Sequence, residues 1–325
     1  MRFVATRLLH SIFVLWAVVT LMFLMFRLMP GDPMAAYISE ALSEESRQAI
    51  RAQFGLDRPL WQQYFIYLAN LVQGELGMSF FQRQPVSSIV WNALPNTLAL
   101  TFSGLVLAYI FGIVAGAFLA WRRGSWIEGV SIPVVLATRA APEFWVGMIL
   151  LAVFAFSLGW FPSGGAASPG AFYSSEWARM FSLDFLHHLA LPVITLALYL
   201  QGLPLLLMRS TMLEVMHEEF VTMAPMKGLS EWRIVLHHAA RNALLPVATA
   251  FALSLGQLVG GNVVVEIVFS WPGLGRILVN AVASADYPLA QGAFLIVALA
   301  LITMNFVADL LYAVLDPRVT HGRAG

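Results

Sequence analysis

The 325-residue sequence has no cysteine and a single lysine, Lys227. Without cysteine there can be no disulfide, no thiolate metal site and no cysteine nucleophile. A Walker A phosphate loop needs a lysine between a glycine and a serine or threonine, whereas Lys227 lies between Met226 and Gly228. Because such a loop is absent, any work driven by ATP requires the ATPase site of another polypeptide.

Charged residues are scarce as well. They make up 11% of the chain, while 59% of the residues are hydrophobic; soluble domains carry about 25% charged residues. The 18 basic and 18 acidic residues balance, so the chain lacks the basic excess that a nucleic-acid-binding protein uses for phosphate contacts. These values exclude a soluble globule, disfavour nucleic acid as a partner, and predict a protein solvated by a lipid bilayer.

Long apolar runs supply the membrane-spanning elements. A helix that crosses the hydrocarbon layer needs about 20 mostly apolar residues, and none of these runs alternates like the strands of a membrane barrel. Six stretches satisfy the requirement, approximately Leu8–Met29, Thr97–Trp121, Ser131–Phe156, Leu189–Met208, Leu244–Phe269 and Phe294–Leu315. The sequence therefore predicts an all-α membrane protein with six transmembrane helices.

Basic residues predict the orientation of these spans, because short cytoplasmic segments are enriched in arginine and lysine. The short outer segments hold only Arg179 and Arg276. With the N-terminus inside, the short inner segments hold Arg2, Arg7, Arg122, Arg123, Arg209, Lys227, Arg233, Arg241, Arg318 and Arg323. We expect both termini to be cytoplasmic. The first span has no small-residue cleavage site after it and is interpreted as an uncleaved anchor.

This topology divides the chain into three parts: the N-terminus with the first span (1–30), an external loop (31–96) and a five-helix core (97–325). In the external loop, Ser43 to Ser46 predicts a helix start and the turn from Gly55 to Pro59 predicts its end. An aromatic, amphipathic helix over 61–72 comes next, and we expect it on the membrane surface.

Two stretches carry a small residue at every fourth position, a spacing that lets neighbouring helices approach closely in lipid. The first stripe is Ala108, Gly112, Gly116 and Ala120, and the second is Ala248, Ala252, Gly256 and Gly260. The first is interpreted as packing within one subunit. For the second, packing within the subunit and contact between subunits both remain open.

The inner loop between the fourth and fifth spans, residues 209–246, is the most informative soluble stretch. Pro225 and Gly228 interrupt it, and Ser230 is a candidate N-cap for a helix that starts at Glu231. The pattern predicts two short helices joined by a glycine turn. Several exposed apolar residues, including Phe220, Met223 and Met226, fit either a helix on the bilayer or a docking helix for a cytoplasmic partner.

This loop resembles a known family. The string from Glu219 to Ser230, continued from His238 to Pro246, resembles the EAA loop of ABC importer permeases, and more narrowly that of the oligopeptide, dipeptide and nickel importers. The resemblance covers essentially the whole chain. Further motifs occur in the same order: RLMPGDP (27–33), FGLDRP (54–59), GELGMS (74–79), LPNT (94–97), VEIVFSWPGLGR (265–276), DYP (286–288) and DLLY (309–312).

The resemblance implies a type I importer permease fold, in which the EAA loop is a coupling helix that sits in a cleft of an ATPase subunit. The residues carried over to this role are Glu219, Ala224, Lys227, Gly228 and Leu229. Pro225 departs from the family pattern and should shorten or kink the coupling helix. The implied partners are a homologous second permease, two ATPase subunits that hold ATP and Mg, and an external solute-binding protein; this chain itself is expected to need no cofactor.

Ionisable and polar residues at membrane depth are candidates for the solute path, because burying such groups is costly unless they are paired or face water. The candidates are Arg139, Glu143, Gln257, Asn262 and Glu266. Arg139 and Glu143, four residues apart around Pro142, can either neutralise each other on one helix face or contact the charged ends of a zwitterionic solute. Gln257 and Asn262 can equally form interhelical hydrogen bonds, while Asp309 is interpreted as a structural pairing.

The function expected from these features is that of a membrane-spanning permease subunit, itself not an enzyme, of an ATP-driven importer in a bacterial inner membrane. Its cargo would be a peptide or similar small solute. The alternative is a secondary transporter driven by an ion gradient, which predicts internal repeats that the sequence does not show. An intramembrane enzyme is disfavoured because nucleophile and metal motifs are missing.

Overall fold

The computed structural model describes residues 2–28, 58–256 and 262–315, and the regular structure of these ranges is helical. In chain order, the first helices are α1 (Arg2–Leu28), α2 (Leu60–Val72), α3 (Val86–Trp121), α4 (Trp126–Ala140), α5 (Glu143–Leu150, continued by a π-helix over Leu151–Ser157), α6 (Glu176–Met180), α7 (Leu183–Leu200) and α8 (Gly202–Val215). They are followed by α9 (Glu219–Thr222), α10 (Glu231–Arg233, continued by a π-helix over Ile234–Ala240), α11 (Arg241–Gly256), α12 (Val263–Val268), α13 (Leu274–Ala283) and α14 (Tyr287–Leu315).

Four of the described helices are individually long and apolar enough to cross a membrane, namely α1, α3, α7 and α14. Helices α4 and α5 qualify only as a pair, bent by 105°. The predicted third span, Ser131–Phe156, is therefore not one straight helix. The bend is explained by Pro142, since Ala141 and Pro142 both adopt extended backbone angles between the two helices, as the residue before a proline commonly does.

The predicted fifth span, Leu244–Phe269, lies partly outside the described residues. Its first part belongs to α11 and its last part to α12. The predicted fourth span, Leu189–Met208, runs across the joint between α7 and α8 at Gln201. Pro204 explains that joint, because a proline has no N–H to bond the carbonyl four residues earlier.

Helix α3 lies against α7 and α8 along much of its length. A Cβ built on Gly112 would meet Pro204 and Leu205 at 2.8–2.9 Å, and one built on Gly116 would meet the carbonyl oxygen of Leu205 at 2.4 Å. Only glycine permits this approach of the two backbones. The interpretation of the first stripe as packing within the subunit is confirmed.

The second stripe also packs within the subunit where it is described. Helix α11 lies against α14 and α8, Ala252 is buried, and a Cβ on Gly256 would lie 2.1 Å from Oδ1 of Asn305 in α14. Gly260, the last member of the stripe, lies outside the described residues.

The predicted amphipathic helix over 61–72 corresponds closely to α2. Its inner face contacts α1: the Thr20 and Tyr64 hydroxyls are 2.6 Å apart, and the ring of Phe23 lies 5.2 Å from that of Tyr64. Trp61 and Phe65 are exposed on the opposite face. The predicted helix that starts near Ser43 lies outside the described residues.

Candidate coupling segment and solute path

Residues 219–229, called here the 219–229 segment, form the predicted pair of short elements around a glycine turn. Helix α9 ends at Thr222, and Pro225 begins a single 3₁₀ turn that reaches Lys227. Gly228 then adopts the left-handed conformation with φ +73°, and α10 starts after Ser230. As expected from Pro225, the first helix is short, because proline cannot supply the next backbone hydrogen bond.

The 219–229 segment is anchored on one face only. Val221 and Ala224 are buried at 6% and 2% exposure and pack against Ile234, together with the partly buried Val215 and Leu229. On the other face, Phe220, Met223 and Met226 are 48%, 50% and 81% exposed. Glu219, Lys227 and Gly228 are exposed as well. The segment thus combines a fixed inner face with an outer face of exposed apolar and charged side chains.

Helix α3 reaches the residues immediately after this segment. Nε1 of Trp121 donates a hydrogen bond to Oε1 of Glu231 at 2.7 Å. The Trp121 ring also meets the Trp232 ring edge to face at 5.6 Å between centroids, and the Arg122 guanidinium lies 4.8 Å above the Trp121 ring.

A second polar contact links the start of α4 to α8. The guanidinium of Arg209 pairs with Oε1 of the buried Glu128. The other carboxylate oxygen of Glu128 accepts the backbone N–H of Gly124 at 2.6 Å. This contact fixes the turn between α3 and α4 against the helix that leads into the 219–229 segment.

Arg139 and Glu143 lie on either side of the bend, not on one helix face. Helix α4 ends at Ala140 and α5 starts at Glu143, with two extended residues between them. The two side chains form no ion pair, so the alternative in which they neutralise each other at i and i+4 does not hold. The physical reason is the break at Pro142, which removes the helical geometry that brings such residues together.

Each of these two side chains has its own surroundings. A Cβ on Gly202, at the joint between α7 and α8, would lie 3.1 Å from Cδ of Arg139. Glu143 begins α5, which packs against α7 and α12. Its Oε1 is buried without a hydrogen-bond partner in the part of the chain that the structure describes.

Glu266 lies in a cluster that we call the Glu266 corner: Asn96, Thr97, Glu266, Trp271, Leu274 and Arg276. Glu266 is only 1% exposed. Its Oε1 accepts a hydrogen bond from the Thr97 hydroxyl at 2.6 Å, and its Oε2 accepts the backbone N–H of Arg276 at 2.9 Å. The Thr97 oxygen in turn accepts the backbone N–H of Leu274 at 2.8 Å.

The rest of the Glu266 corner closes around the same loop. Nδ2 of Asn96 donates to the carbonyl of Pro272, and Nε1 of Trp271 donates to the carbonyl of Asn96, both at 2.9 Å. Trp271 is completely buried. Two α3 residues thereby hold the connection between α12 and α13.

The two remaining path candidates are separated from Arg139 and Glu143 along the chain. Gln257 lies outside the described residues. Asn262 is partly buried and immediately precedes α12, the helix that carries Glu266.

Asp309 makes the structural pairing expected of it, because Arg7 Nη1 lies 3.0 Å from Asp309 Oδ2 and joins α1 to α14.

The sequence motifs LPNT and VEIVFSWPGLGR contain Asn96, Thr97 and Trp271 but indicate no role for them. Their partners are more than 160 residues away in the chain, so no local pattern could reveal them. Asp286 was missed for the same reason. It is fully buried and accepts hydrogen bonds from the Ser79 hydroxyl at 2.5 Å and from the backbone N–H of Phe80 at 3.1 Å.

Comparison with known proteins places these features in one family. Residues 112–321 match the family described as "Binding-protein-dependent transport system inner membrane component", and residues 1–101 match its N-terminal companion family. The chain is an ABC importer permease of the peptide family. The matched region contains the 219–229 segment, the bend at Pro142 and the α12–α13 loop.

Full-length relatives agree with this assignment. The permease is 39% identical to the di/tripeptide transport system permease protein DppB of Pseudomonas aeruginosa, over 99% of this chain and 100% of that protein. It is 36% identical to the glutathione transport system permease protein GsiC of Escherichia coli K12, over 99% of both chains. The predicted family and the multi-pass inner-membrane location are confirmed.

Membership in this family makes the permease a transport component and not a catalytic enzyme. Within the described residues, no group of three or more histidine, aspartate or glutamate side chains could hold a metal ion.

Proposed function

We propose that this permease is one of two homologous membrane subunits of an ATP-driven importer for peptides or similar small solutes. In this proposal the chain crosses the inner membrane six times with both termini in the cytoplasm. Two ATPase subunits bind on the cytoplasmic side and a solute-binding protein delivers the cargo outside. Full-length similarity to permeases named for di/tripeptides and glutathione supports a peptide-class solute.

The observation that carries this proposal is the construction of the 219–229 segment. One face is fixed by Val221 and Ala224, while Phe220, Met223 and Met226 remain exposed opposite it. Exposed apolar groups of this extent on an anchored short helix fit a protein-docking surface. We therefore assign the segment to coupling with the ATPase, with Glu219, Lys227 and Gly228 exposed on it and Ala224 and Leu229 anchoring its inner face.

For the solute path, we assign Arg139 and Glu143 at the bend between α4 and α5. Interrupted helices with ionisable groups at membrane depth commonly mark a transport path. Gln257 and Asn262 are secondary candidates. We assign Glu266 a structural role beside the path and not a contact with the solute, because both of its carboxylate oxygens already accept hydrogen bonds within the Glu266 corner.

Alternating access then arises from linkage. ATP binding favours one spacing of the ATPase subunits, the docked segment moves with it, and one gate opens as the other closes. The permease lacks a phosphate loop, so ATP-driven transport requires separate ATPase subunits. The competing proposal is transport driven by an ion gradient. It would require uptake by this chain without any ATPase.

Gly228 provides the test. Its φ of +73° is unfavourable for residues with a Cβ, and a built Cβ meets nothing within 4 Å, so Gly228→Val should distort the turn without a clash. We expect normal complex yield with uptake of trialanine and of glutathione reduced at least tenfold (about 1.4 kcal/mol). Gly170→Val is the matched control, because Gly170 has φ +81° and equally open surroundings.

The outcome is read from co-purification and uptake in parallel. Normal uptake by Gly228→Val, with its ATPase subunits bound, would contradict the coupling assignment. Uptake by the permease after complete removal of ATPase subunits would instead favour the ion-gradient mechanism.

A further inference from the structure

The contact between α3 and the residues after the 219–229 segment is more specific than helix packing requires. Trp121 uses its only polar atom for Glu231, and its ring faces Trp232. Glu231 and Trp232 are the first two residues of α10. They come three and four positions after Gly228, so the contact holds the exit of the 219–229 segment.

The other side of that segment is joined to the same region. Arg209 in α8 pairs with Glu128 at the start of α4, and α3 and α4 are separated by only four residues. The entry and the exit of the 219–229 segment are therefore both tied to the turn at the C-terminal end of α3.

Helix α3 itself connects this turn to the Glu266 corner. It is one continuous helix from Val86 to Trp121, and Trp121 lies 24 residues after Thr97, which corresponds to about 36 Å along the axis at 1.5 Å per residue. At the far end, Asn96 and Thr97 hold the loop between α12 and α13. A helix fastened by polar contacts at both ends can carry a displacement between them.

We propose that Trp121 and Glu231 are positioning residues that transmit movement of the 219–229 segment to α3, and through α3 to the Glu266 corner. This inference rests on the proposed coupling function but concerns a different contact, since neither side chain belongs to the docking face. Trp121 acts through its indole N–H, and Glu231 acts as its acceptor.

A purely local role is the competing explanation. An edge-to-face aromatic pair and one exposed hydrogen bond both stabilise the fold modestly. Such a role would affect the yield and thermal stability of the complex, whereas it would leave nucleotide-dependent movement of α3 intact. The experiment must therefore measure movement at a distance from the contact.

The absence of cysteine from the sequence makes this measurement possible. Met226→Cys places a reporter on the docking face, and Asn92→Cys places one on the exposed side of α3, one turn before Asn96. The complex with its ATPase subunits and partner permease is prepared in detergent. The rate of maleimide labelling of this chain is then compared with and without ATP plus vanadate.

In the otherwise unmodified permease we expect ATP to change the labelling rate several-fold at both reporters. Trp121→Phe, which keeps an aromatic ring but removes the indole N–H, should preserve the response at position 226 and abolish most of it at position 92. Glu231→Leu should behave in the same way, and the double variant should be no worse than either alone. Glu231→Gln should restore the response, because its amide oxygen can accept the indole N–H.

Trp126→Phe is the matched control, since Trp126 is 78% exposed on the neighbouring helix and should leave both responses unchanged. A full response at position 92 in Trp121→Phe would overturn the inference. So would an unmodified permease in which position 226 responds to ATP but position 92 does not. If position 226 itself is unresponsive, the docking proposal fails first and the inference fails with it.

Discussion

Two glutamates, Glu266 and Glu143, lie in mainly apolar surroundings but in opposite situations. Glu266 is 1% exposed, and each of its carboxylate oxygens accepts a hydrogen bond. Glu143 is partly exposed at the bend between α4 and α5, and its buried oxygen has no partner within the described residues. Both were candidates for the solute path from the sequence.

The difference between them shows how a carboxylate bonded within the fold is told apart from one that has no donor. A buried carboxylate surrounded by donors organises its neighbours, since Glu266 fixes Thr97 on α3 and the first turn of α13. An unsatisfied carboxylate costs stability where it stands. Under the function proposed above, the solute would supply the partner that this carboxylate oxygen lacks.

The largest expected effect comes from removing the satisfied carboxylate. Glu266→Leu leaves the Thr97 hydroxyl and the Arg276 N–H buried without an acceptor, which should cost on the order of 2–5 kcal/mol. We expect a marked loss of thermal stability and of complex yield. Glu266→Gln should cost less, since it keeps one acceptor oxygen. Unchanged stability of the leucine variant would remove the structural role assigned to this residue.

A smaller effect is expected from crowding the same corner. A Cβ on Gly273 would lie 2.2 Å from Oε1 of Glu266, so Gly273→Ala must displace the carboxylate from Thr97, at about 1–3 kcal/mol. The control is Gly129→Ala in α4, where a Cβ meets nothing within 4 Å; this change should be neutral or slightly stabilising. Equal melting temperatures for the two variants would show that the corner tolerates rearrangement.

The smallest effect on stability should come from the bend. Because Arg139 and Glu143 are not paired, Arg139→Leu and Glu143→Leu should add independently, within about 0.5 kcal/mol. Glu143→Gln should preserve complex yield but reduce uptake of trialanine. If the double variant is much more stable than the two single variants predict, Arg139 and Glu143 do interact as a neutralising pair. Full uptake by Glu143→Gln would exclude Glu143 from the path.

The elements that sequence reasoning predicted well have local causes. The apolar runs of α1, α3 and α14, the amphipathic α2 and the Gly228 turn are all determined by composition or by residues adjacent in the chain. The family was also recoverable, because its motifs are long and occur in order. The 105° bend of the third span was not predictable, since an apolar run indicates depth in the membrane but does not give the direction of the helix after Pro142.

The roles within the candidate site were less predictable. The sequence placed Arg139 and Glu143 on one helix face, and it grouped Glu266 with the path residues. Both assignments assumed that the nearest neighbours in the sequence decide the environment of a charge. In the folded permease the environment of Glu266 is decided by Thr97, 169 residues earlier.

By itself, therefore, the sequence determined the lipid solvation of the chain, the position of its long helices, its family and its lack of a phosphate loop. These properties depend on composition, local periodicity and motif order, which the linear chain carries directly. Only the tertiary structure decided which carboxylate has hydrogen-bond donors and how the bend separates Arg139 from Glu143. It also decided that α3 contacts Glu231 through Trp121 at one end and the Glu266 corner through Thr97 at the other. Those facts depend on hydrogen bonds a few ångströms long between residues more than a hundred positions apart, or on backbone direction at a proline, and no local pattern specifies either.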